Sequence, residues 1–303
     1  MSAIVASVIM CTANRLQLAT KCLDSVLAQR DVDMASIEVI VVDNSPTGYF
    51  RPTVDARQGG TAEVIYLHEP VPSIARARNA GCRQARGRFV VFIDDDERAD
   101  ANWLSHLLRA AEQYNADAVY GPVQPEFEAG EPPVWDRNAV CFRRGFDLPE
   151  GALLPMAATN NLLLRRGSGF NGPEPFDLRY GRTGGSDTAL TYRLARNGGR
   201  IVWCPHAVVH EFIPDKRADL RDNLFRVLVR TQSYVRIQLE NETRARRIMR
   251  GGWLLVKGGA GVLFNTPRLL FSFVAPHRNA FRLRAPFYQS VGILTWPIRL
   301  RLY

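Results

Sequence analysis

Three adjacent aspartates, Asp94, Asp95 and Asp96, end an apolar run in "GRFVVFIDDDERAD", residues 87–100. Carboxylates side by side repel one another, so something must make the cluster tolerable. A hard divalent cation such as Mg²⁺ takes oxygen ligands, often one or two carboxylates plus substrate phosphates. It would relieve the aspartates and neutralise a diphosphate together. The plainer reading is a solvated acidic turn with an aspartate capping the next helix. A second carboxylate, Asp43, follows another apolar run, "EVIVV". Open parallel sheets bind ligands beyond the carboxyl ends of their strands, so two acidic strand ends favour a site over a turn. Neither G-x-G-x-x-G nor G-x-x-x-x-G-K-[ST] occurs, which leaves the usual dinucleotide and P-loop solutions without support.

Asp187 lies in "GRTGGSDTALTYRLARNGG", where two glycines precede a Ser-Asp helix start. A carboxylate in a first helical turn is favourable to the helix dipole by itself. Apart from the acidic cluster, it could also accept a proton from an attacking hydroxyl. His210, in "AVVHEFIP", follows a strand-like run. It reads as a core or surface histidine, or as a contact to a diphosphate or metal.

The elements that must carry these residues alternate. "IVASVIMCT" is a strand, and "NRLQLATKCLDSVLAQ" is a helix with Thr12 or Asn14 as its cap. "IEVIVVD" and "AEVIYLH" are strands flanking a loop at 44–60. The helix "SIARARNAGCRQAR", capped by Ser73, precedes the strand "RFVVFID". The helix "ADANWLSHLLRAAEQY" and the strand "ADAVYGPV" follow. Such alternation predicts βαβ crossovers and a mostly parallel, doubly wound α/β sheet. Continuous apolar strands predict helices on both of its faces. Residues 122–158 read as an excursion over the sheet, "ATNNLLLRR" as a returning strand, 167–185 as Gly-rich loop, 186–199 as a helix, 200–212 as strand and 217–240 as a long helix.

The chain has 303 residues, five cysteines without metal-ligand spacing, and a net charge of +9. The cysteines fit buried thiols in a reducing compartment. No basic region or cleavage site precedes "AIVASVIMCT", so no signal peptide is read there. The basicity is confined to the tail: residues 243–303 hold eleven Lys and Arg and no Asp or Glu. Aromatic residues are interspersed among these cations. The run "GGWLLVKGGAGVLFNTPRLLFSFVA" is broken by Lys257, Asn265, Pro267 and Arg268. It reads as an interfacial or re-entrant segment on an anionic membrane surface. A transmembrane hairpin and a soluble helical subdomain with a basic surface are the other readings. No RNA- or DNA-binding motif accompanies the charge, so no nucleic-acid partner is expected.

Taken in order, "SVIMCTANR", "EVIVVDNS", "SIARARNAG", "GRFVVFIDDDE" and "GGSDTALTYRLARNGG" resemble the family 2 inverting glycosyltransferases of GT-A fold. The resemblance covers roughly residues 4–212 and is nearest to bacterial exopolysaccharide β-1,4-glucosyltransferases of the succinoglycan type. It implies that Thr12 and Asp43 hold the uridine of a UDP-sugar, with Asp43 on the base, and that Arg78 faces the nucleotide. It implies that Asp94 and Asp95 contact ribose and metal-bound water, that Asp96 ligates Mg²⁺ or Mn²⁺ directly, and that Asp187 is the general base. Ser186 stands where the family has its usual Glu, so the acceptor-orienting carboxylate of that motif is missing. The implied acceptor is a polyprenyl-diphosphate-linked oligosaccharide. That would put the enzyme peripherally on the cytoplasmic face of a bacterial inner membrane. The expected organisation is a nucleotide-sugar and acceptor domain over 1–214 and a helical, basic, membrane-associating region over 215–303. A sugar nucleotidyltransferase is the competing enzyme class, although "MCTANRLQ" lacks the glycines of its N-terminal loop. A binding subunit without catalysis is the third.

Overall fold

The computed structural model describes residues 3–168, 174–180, 184–274, 279–298 and 300. Gly181, Arg182 and Thr183 of the glycine-rich stretch, and Arg278, Arg299, Arg301 and Tyr303 of the basic tail, lie outside the described residues. The chain forms two compact units. The first comprises residues up to 124, 144–181 and 186–211; the second comprises 125–143, 182–185 and the chain from 212 onward.

The first unit is organised by a seven-stranded sheet. Its strands are β1 (Ala6–Thr12), β2 (Ile37–Asp43), β3 (Glu63–His68), β4 (Phe89–Asp94), β6 (Ala118–Tyr120), β8 (Leu162–Arg165) and β9 (Ile201–Trp203). Their order is β3-β2-β1-β4-β8-β6-β9. Every pairing is parallel except those of β8, which runs antiparallel to β4 and β6. This is the mostly parallel α/β sheet expected, with "ATNNLLLRR" supplying the antiparallel strand.

The apolar strands split their side chains between two cores, as alternation across a pleat requires. Val8, Met10, Val39, Val41, Val91 and Ile93 face one side. There they meet Leu23 and Val26 of α1 (Leu16–Leu27) and Trp103 and Leu107 of α4 (Trp103–Gln113). Ile9, Ile40, Val42, Val90 and Phe92 face the other side. That core holds Ala75 and Ala77 of α3 (Ile74–Gln84) and Leu190 and Leu194 of α5 (Ser186–Arg196).

Several local expectations are corrected. The loop at 44–60 contains a short helix, α2 (Arg51–Asp55), started by Pro52 in its first turn. Neither Thr12 nor Asn14 caps α1. Its N-cap is Arg15, with no side-chain hydrogen bond, and Asn14 takes φ 59°, a conformation asparagine tolerates. The acidic run does not cap a helix either: it turns directly into β5 (Glu97–Ala99). "RIVWCPHAVVHEF" is two strands, separated at Pro205. β9 lies in the main sheet, while β10 (Val209–Ile213) belongs to a second sheet of order β5-β10-β7, with β7 at Val123–Phe127.

One buried side chain ties several of these pieces together. Asn161 accepts the indole N–H of Trp103 at 2.7 Å and donates to the carbonyls of Pro122 at 2.8 Å and Ala207 at 2.7 Å. It is fully buried and holds φ 65°. Gly121 is required beside it, because a Cβ there would stand 2.1 Å from the Ala207 carbonyl and 2.5 Å from Asn161 Nδ2.

The second unit is helical: α6 (Leu220–Glu240), α7 (Arg244–Val274) and α8 (Ala280–Leu294). Asp219 caps α6 by accepting the Asp222 N–H at 2.9 Å. From the 125–143 segment, the Trp135 ring packs on Phe142 and Phe281 and its N–H donates to the Ala218 carbonyl at 3.0 Å.

Asn161→Ala is expected to destabilise the protein by about 2–4 kcal/mol, because it strands three buried hydrogen-bonding groups. Denaturant unfolding of the two proteins side by side checks this. A loss under ~1 kcal/mol would mean that Asn161 is not the junction it resembles.

Candidate active site

Register brings the polar strand ends together. Cys11 of β1 stands opposite Asp94 of β4, and Thr12 stands opposite Asp43 of β2. The carboxyl edge of the central strands therefore carries Thr12, Asp43 and the start of the aspartate run.

Two arginines neutralise that run. Arg15 Nη1 lies 3.0 Å from Asp95 Oδ1 and 2.8 Å from Asp96 Oδ2. Arg78 Nη2 lies 3.1 Å from Asp94 Oδ1. Thr12 donates its hydroxyl to Asp95 Oδ2 at 2.9 Å and shares a 2.6 Å hydrogen bond with the Tyr49 hydroxyl. Tyr49 in turn accepts the Arg15 N–H at 3.0 Å. Arg78 is buried, and its guanidinium lies 5.7 Å from the Phe176 ring centre. Phe176 is fixed by Asn79, which exchanges two 2.9 Å hydrogen bonds with its backbone. α3 thus delivers Arg78 on a rigid base.

The charge balance is incomplete. Burial, then the charges of Glu211, Asp94 and Asp95, push the pKa of Asp96 up to about 7, against the pull of Arg15. Burial also raises Asp95, despite Arg15 and Thr12. Glu97 and Glu211 face each other across the β5–β10 pair, both buried. Burial and the neighbouring Asp94 and Glu211 charges hold Glu97 well above the usual carboxylate range. Its oxygens accept the Asp94 N–H at 2.9 Å and the Asn160 amide at 3.3 Å. Arg144 Nη2 lies 3.9 Å from Glu211 Oε2.

The candidate residues divide into three groups. Thr12, Arg78, Asp94, Asp95 and Asp96 form one hydrogen-bonded and electrostatic cluster with Arg15. Asp187 lies in the first turn of α5, half-buried, and accepts the Thr188 N–H at 2.7 Å. Its charge acts on Arg78 and on the buried hydroxyl of Tyr120, which also feels Glu97 and Glu211. Asp187 therefore shares the field of the cluster without being bonded into it. Asp43 and His210 are the third group. Asp43 is fully buried, and its oxygens accept the Ser45 N–H at 3.0 Å, the Phe50 N–H at 2.7 Å and the Tyr66 hydroxyl at 3.2 Å. It shapes the 44–50 loop instead of presenting an open carboxylate to a base. His210 pairs with Arg98 across the ladder, and its Nε2 lies 3.0 Å from Asp100 Oδ1. The next residue, Glu211, is the one whose charge reaches Asp96.

The family model described as Glycosyl transferase family 2 matches residues 7–168. The Succinoglycan biosynthesis protein ExoM of Rhizobium meliloti (strain 1021) is 31% identical over 93% of this chain and 89% of its own length. The chain belongs to glycosyltransferase family 2. Solved structures agree on the fold. S. aureus TarS 1-349 in complex with UDP-GlcNAc aligns with a TM-score of 0.56 at 14% identity, over 96% of this chain and 90% of that one. GalNAc-T7 with UDP, GalNAc and Mn²⁺ aligns with a TM-score of 0.55 at 16% identity, over 78% and 48% respectively. The sheet is the GT-A arrangement, and family membership selects a glycosyltransferase over a nucleotidyltransferase.

For this transferase, the donor set suits a hard cation. Asp96 is an oxygen donor whose carboxyl is pushed up by burial and by neighbouring carboxylates, and Mg²⁺ or Mn²⁺ would favour its ionised form. Among the described residues, no three His, Cys, Asp or Glu are grouped to hold a metal by themselves. One carboxylate plus substrate phosphates is the way Mg²⁺ is commonly held. Arg15 and Glu211 were unassigned in the sequence reading. Both are adjacent to residues it quoted, Arg15 closing "CTANR" and Glu211 following His210, but only the turn after β1 and the pleat of β10 aim them at the aspartates.

The raised pKa of Asp96 has a stability consequence in metal-free protein. Its folded pKa lies near 7 and its unfolded one near 4. Between these values the native state binds more protons, so stability is greatest at low pH and falls as pH rises toward 7, by at most about 1.4 kcal/mol per pH unit. With EDTA present, Asp96→Asn is expected to melt above wild type at pH 8 and to lose that advantage at pH 5. Equal melting temperatures at pH 8 would mean that the surrounding groups already balance the carboxylate.

Proposed function

We propose that this transferase moves a hexose, glucose being the first donor to test, from a UDP-sugar to a hydroxyl of a lipid-linked oligosaccharide in bacterial exopolysaccharide synthesis. The supporting observation is the aspartate cluster with its two arginines at the carboxyl edge of β1 and β4, in electrostatic reach of a separate carboxylate on α5. Likeness to the ExoM protein supports the exopolysaccharide reading, and the UDP-bound TarS structure supports the choice of nucleotide.

In this reading Asp187 accepts the proton of the acceptor hydroxyl as that oxygen bonds to the anomeric carbon. The bond from that carbon to the phosphate oxygen breaks, its electron pair leaves with UDP, and the configuration inverts. Asp96 would hold Mg²⁺ or Mn²⁺, which supplies positive charge to the departing diphosphate. Arg78 and Arg15 set the charge of the pocket into which the diphosphate enters. Thr12 and Tyr49 fix Asp95, and the loop braced by Asp43 walls the uridine side.

Asp187→Asn should lower transfer by at least a thousandfold, since the proton acceptor is lost, while UDP binding stays within about threefold. UDP release from a panel of UDP-sugars, with Mn²⁺ or EDTA and with a lipid extract carrying acceptor, reads this directly. Asp96→Ala should resemble EDTA treatment. Undiminished transfer by Asp187→Asn would remove the base assignment. Full activity in EDTA would remove the cation.

A further inference from the structure

α7 is two-sided. Its packed side carries Gly251, Leu254, Gly258 and Ser272. Small residues let the backbone approach α8: a Cβ on Gly258 would stand 2.7 Å from the Leu294 N, and one on Gly261 2.6 Å from Ser290 Oγ. Leu254 closes on Val235 and Leu239 of α6, with Trp296 and Ile293 beside them. Arg284 donates to Ser272 Oγ at 2.9 Å.

The other side has no such partner among the described residues of its unit. Met249, Trp253, Val256, Leu263, Leu270 and Val274 are spaced by four, three, seven, seven and four residues, the repeat of one helix face. All are well exposed: Trp253 at 58%, Leu263 at 77% and Val274 at 83%, with Phe264 beside them at 84%. At about 100° per residue this stripe lies about 170° round from the packed side. Arg246, Lys257 and Arg268, spaced by eleven and eleven and all exposed, form a row about 100° from the stripe, along one edge, while Arg250 beside them is paired with Glu242 at 2.9 Å. Lys257 Nζ lies 5.1 Å from the Trp253 ring centre, a cation on the aromatic border.

We propose that this outward face of α7 lies flat on an anionic bilayer. The apolar stripe would enter the acyl boundary, and the basic row would reach lipid phosphates with its stems on the helix. Charge decides the occupant. From residue 243 onward there is no Asp or Glu, so a second copy would set like rows against each other with no carboxylate from either tail, whereas anionic headgroups complement them. The helix lies on the surface and does not cross it. Its packed side is committed to α8, and no helix among the described residues is long and apolar enough to span a membrane. This refines the interfacial segment read from the sequence by naming the face and its orientation. It stands independently of the sugar chemistry, because binding is read without nucleotide.

The test is flotation of the full chain with vesicles of phosphatidylcholine alone and with about one third phosphatidylglycerol, in low and high salt. The anionic vesicles should bind the protein at least tenfold more tightly, and less so in high salt. Trp253→Asp with Phe264→Asp should abolish binding while leaving UDP release from a soluble donor unchanged. Arg246→Gln, Lys257→Gln and Arg268→Gln together should erase the preference for anionic lipid. Undiminished binding by the double aspartate variant would overturn the proposal. So would a wild-type dimer that this variant dissociates, with no vesicle binding by either protein.

Discussion

The central strand of this transferase ends in more negative charge than its surroundings can hold. Asp94, Asp95 and Asp96 leave β4 where Glu97 and Glu211 are already buried. Two unit charges 4 Å apart cost about 4 kcal/mol at an effective dielectric of 20, so such a group persists only with countercharge. Arg78 serves Asp94, and Arg15 serves Asp95 and Asp96. The remainder appears as carboxyls pushed toward their protonated forms, with Asp96 near 7. In the proposed reading, a cation entering with the diphosphate would meet this charge.

That electrostatic arrangement depends on a scaffold that does not yield. β1 and β2 are buried on both faces, and the two cores lock each strand in register. A one-residue slip would move Thr12 away from Asp43 and invert every apolar side chain. Asn161 adds a second constraint, joining α4, the Gly121–Pro122 turn and the chain entering β10 through three buried hydrogen bonds. This junction fixes the chain just ahead of β10, and hence the strand that carries Glu211 opposite Glu97.

Most of the sheet was legible because burial on both faces writes unbroken apolar runs. "EVIVV" and "FVVFI" could hardly be anything else. The aspartates were legible for the same reason, since acidic residues abutting such a run stand out. Positions set by three-dimensional aim were not. The resemblance implies Asp43 on the base, but that its carboxylate also accepts hydrogen bonds from Ser45, Phe50 and Tyr66 follows only from the folded loop. His210 and Glu211 are sequence neighbours on β10, and only the fold shows that His210 lies 3.0 Å from Asp100 and that the Glu211 charge reaches Asp96. Arg15 carries no assignable role in the sequence, because its contacts with Asp95 and Asp96 follow the left-handed residue Asn14 in the folded chain. In the tail, the apolar content was plain, yet its meaning required knowing which side of α7 is taken by α8.

The same reasoning from unmet need links the two units. At the sheet edge the unmet quantity is positive charge; on α7 it is cover for apolar area beside surplus positive charge. Burying a Trp, a Phe and several aliphatic side chains in a membrane boundary is worth several kcal/mol at ~25 cal/mol per Å², and each cation near an anionic surface adds about 1 kcal/mol. An enzyme held in this way would meet the proposed lipid-linked acceptor in two dimensions. The membrane then raises the local concentration of acceptor, as any second tether does. Encounter would be supplied by the surface, so the catalytic residues need only orient the acceptor hydroxyl and remove its proton. Ser186 offers no carboxylate where the family usually places one, so in the proposed reading orienting the acceptor hydroxyl would fall to other residues beside Asp187.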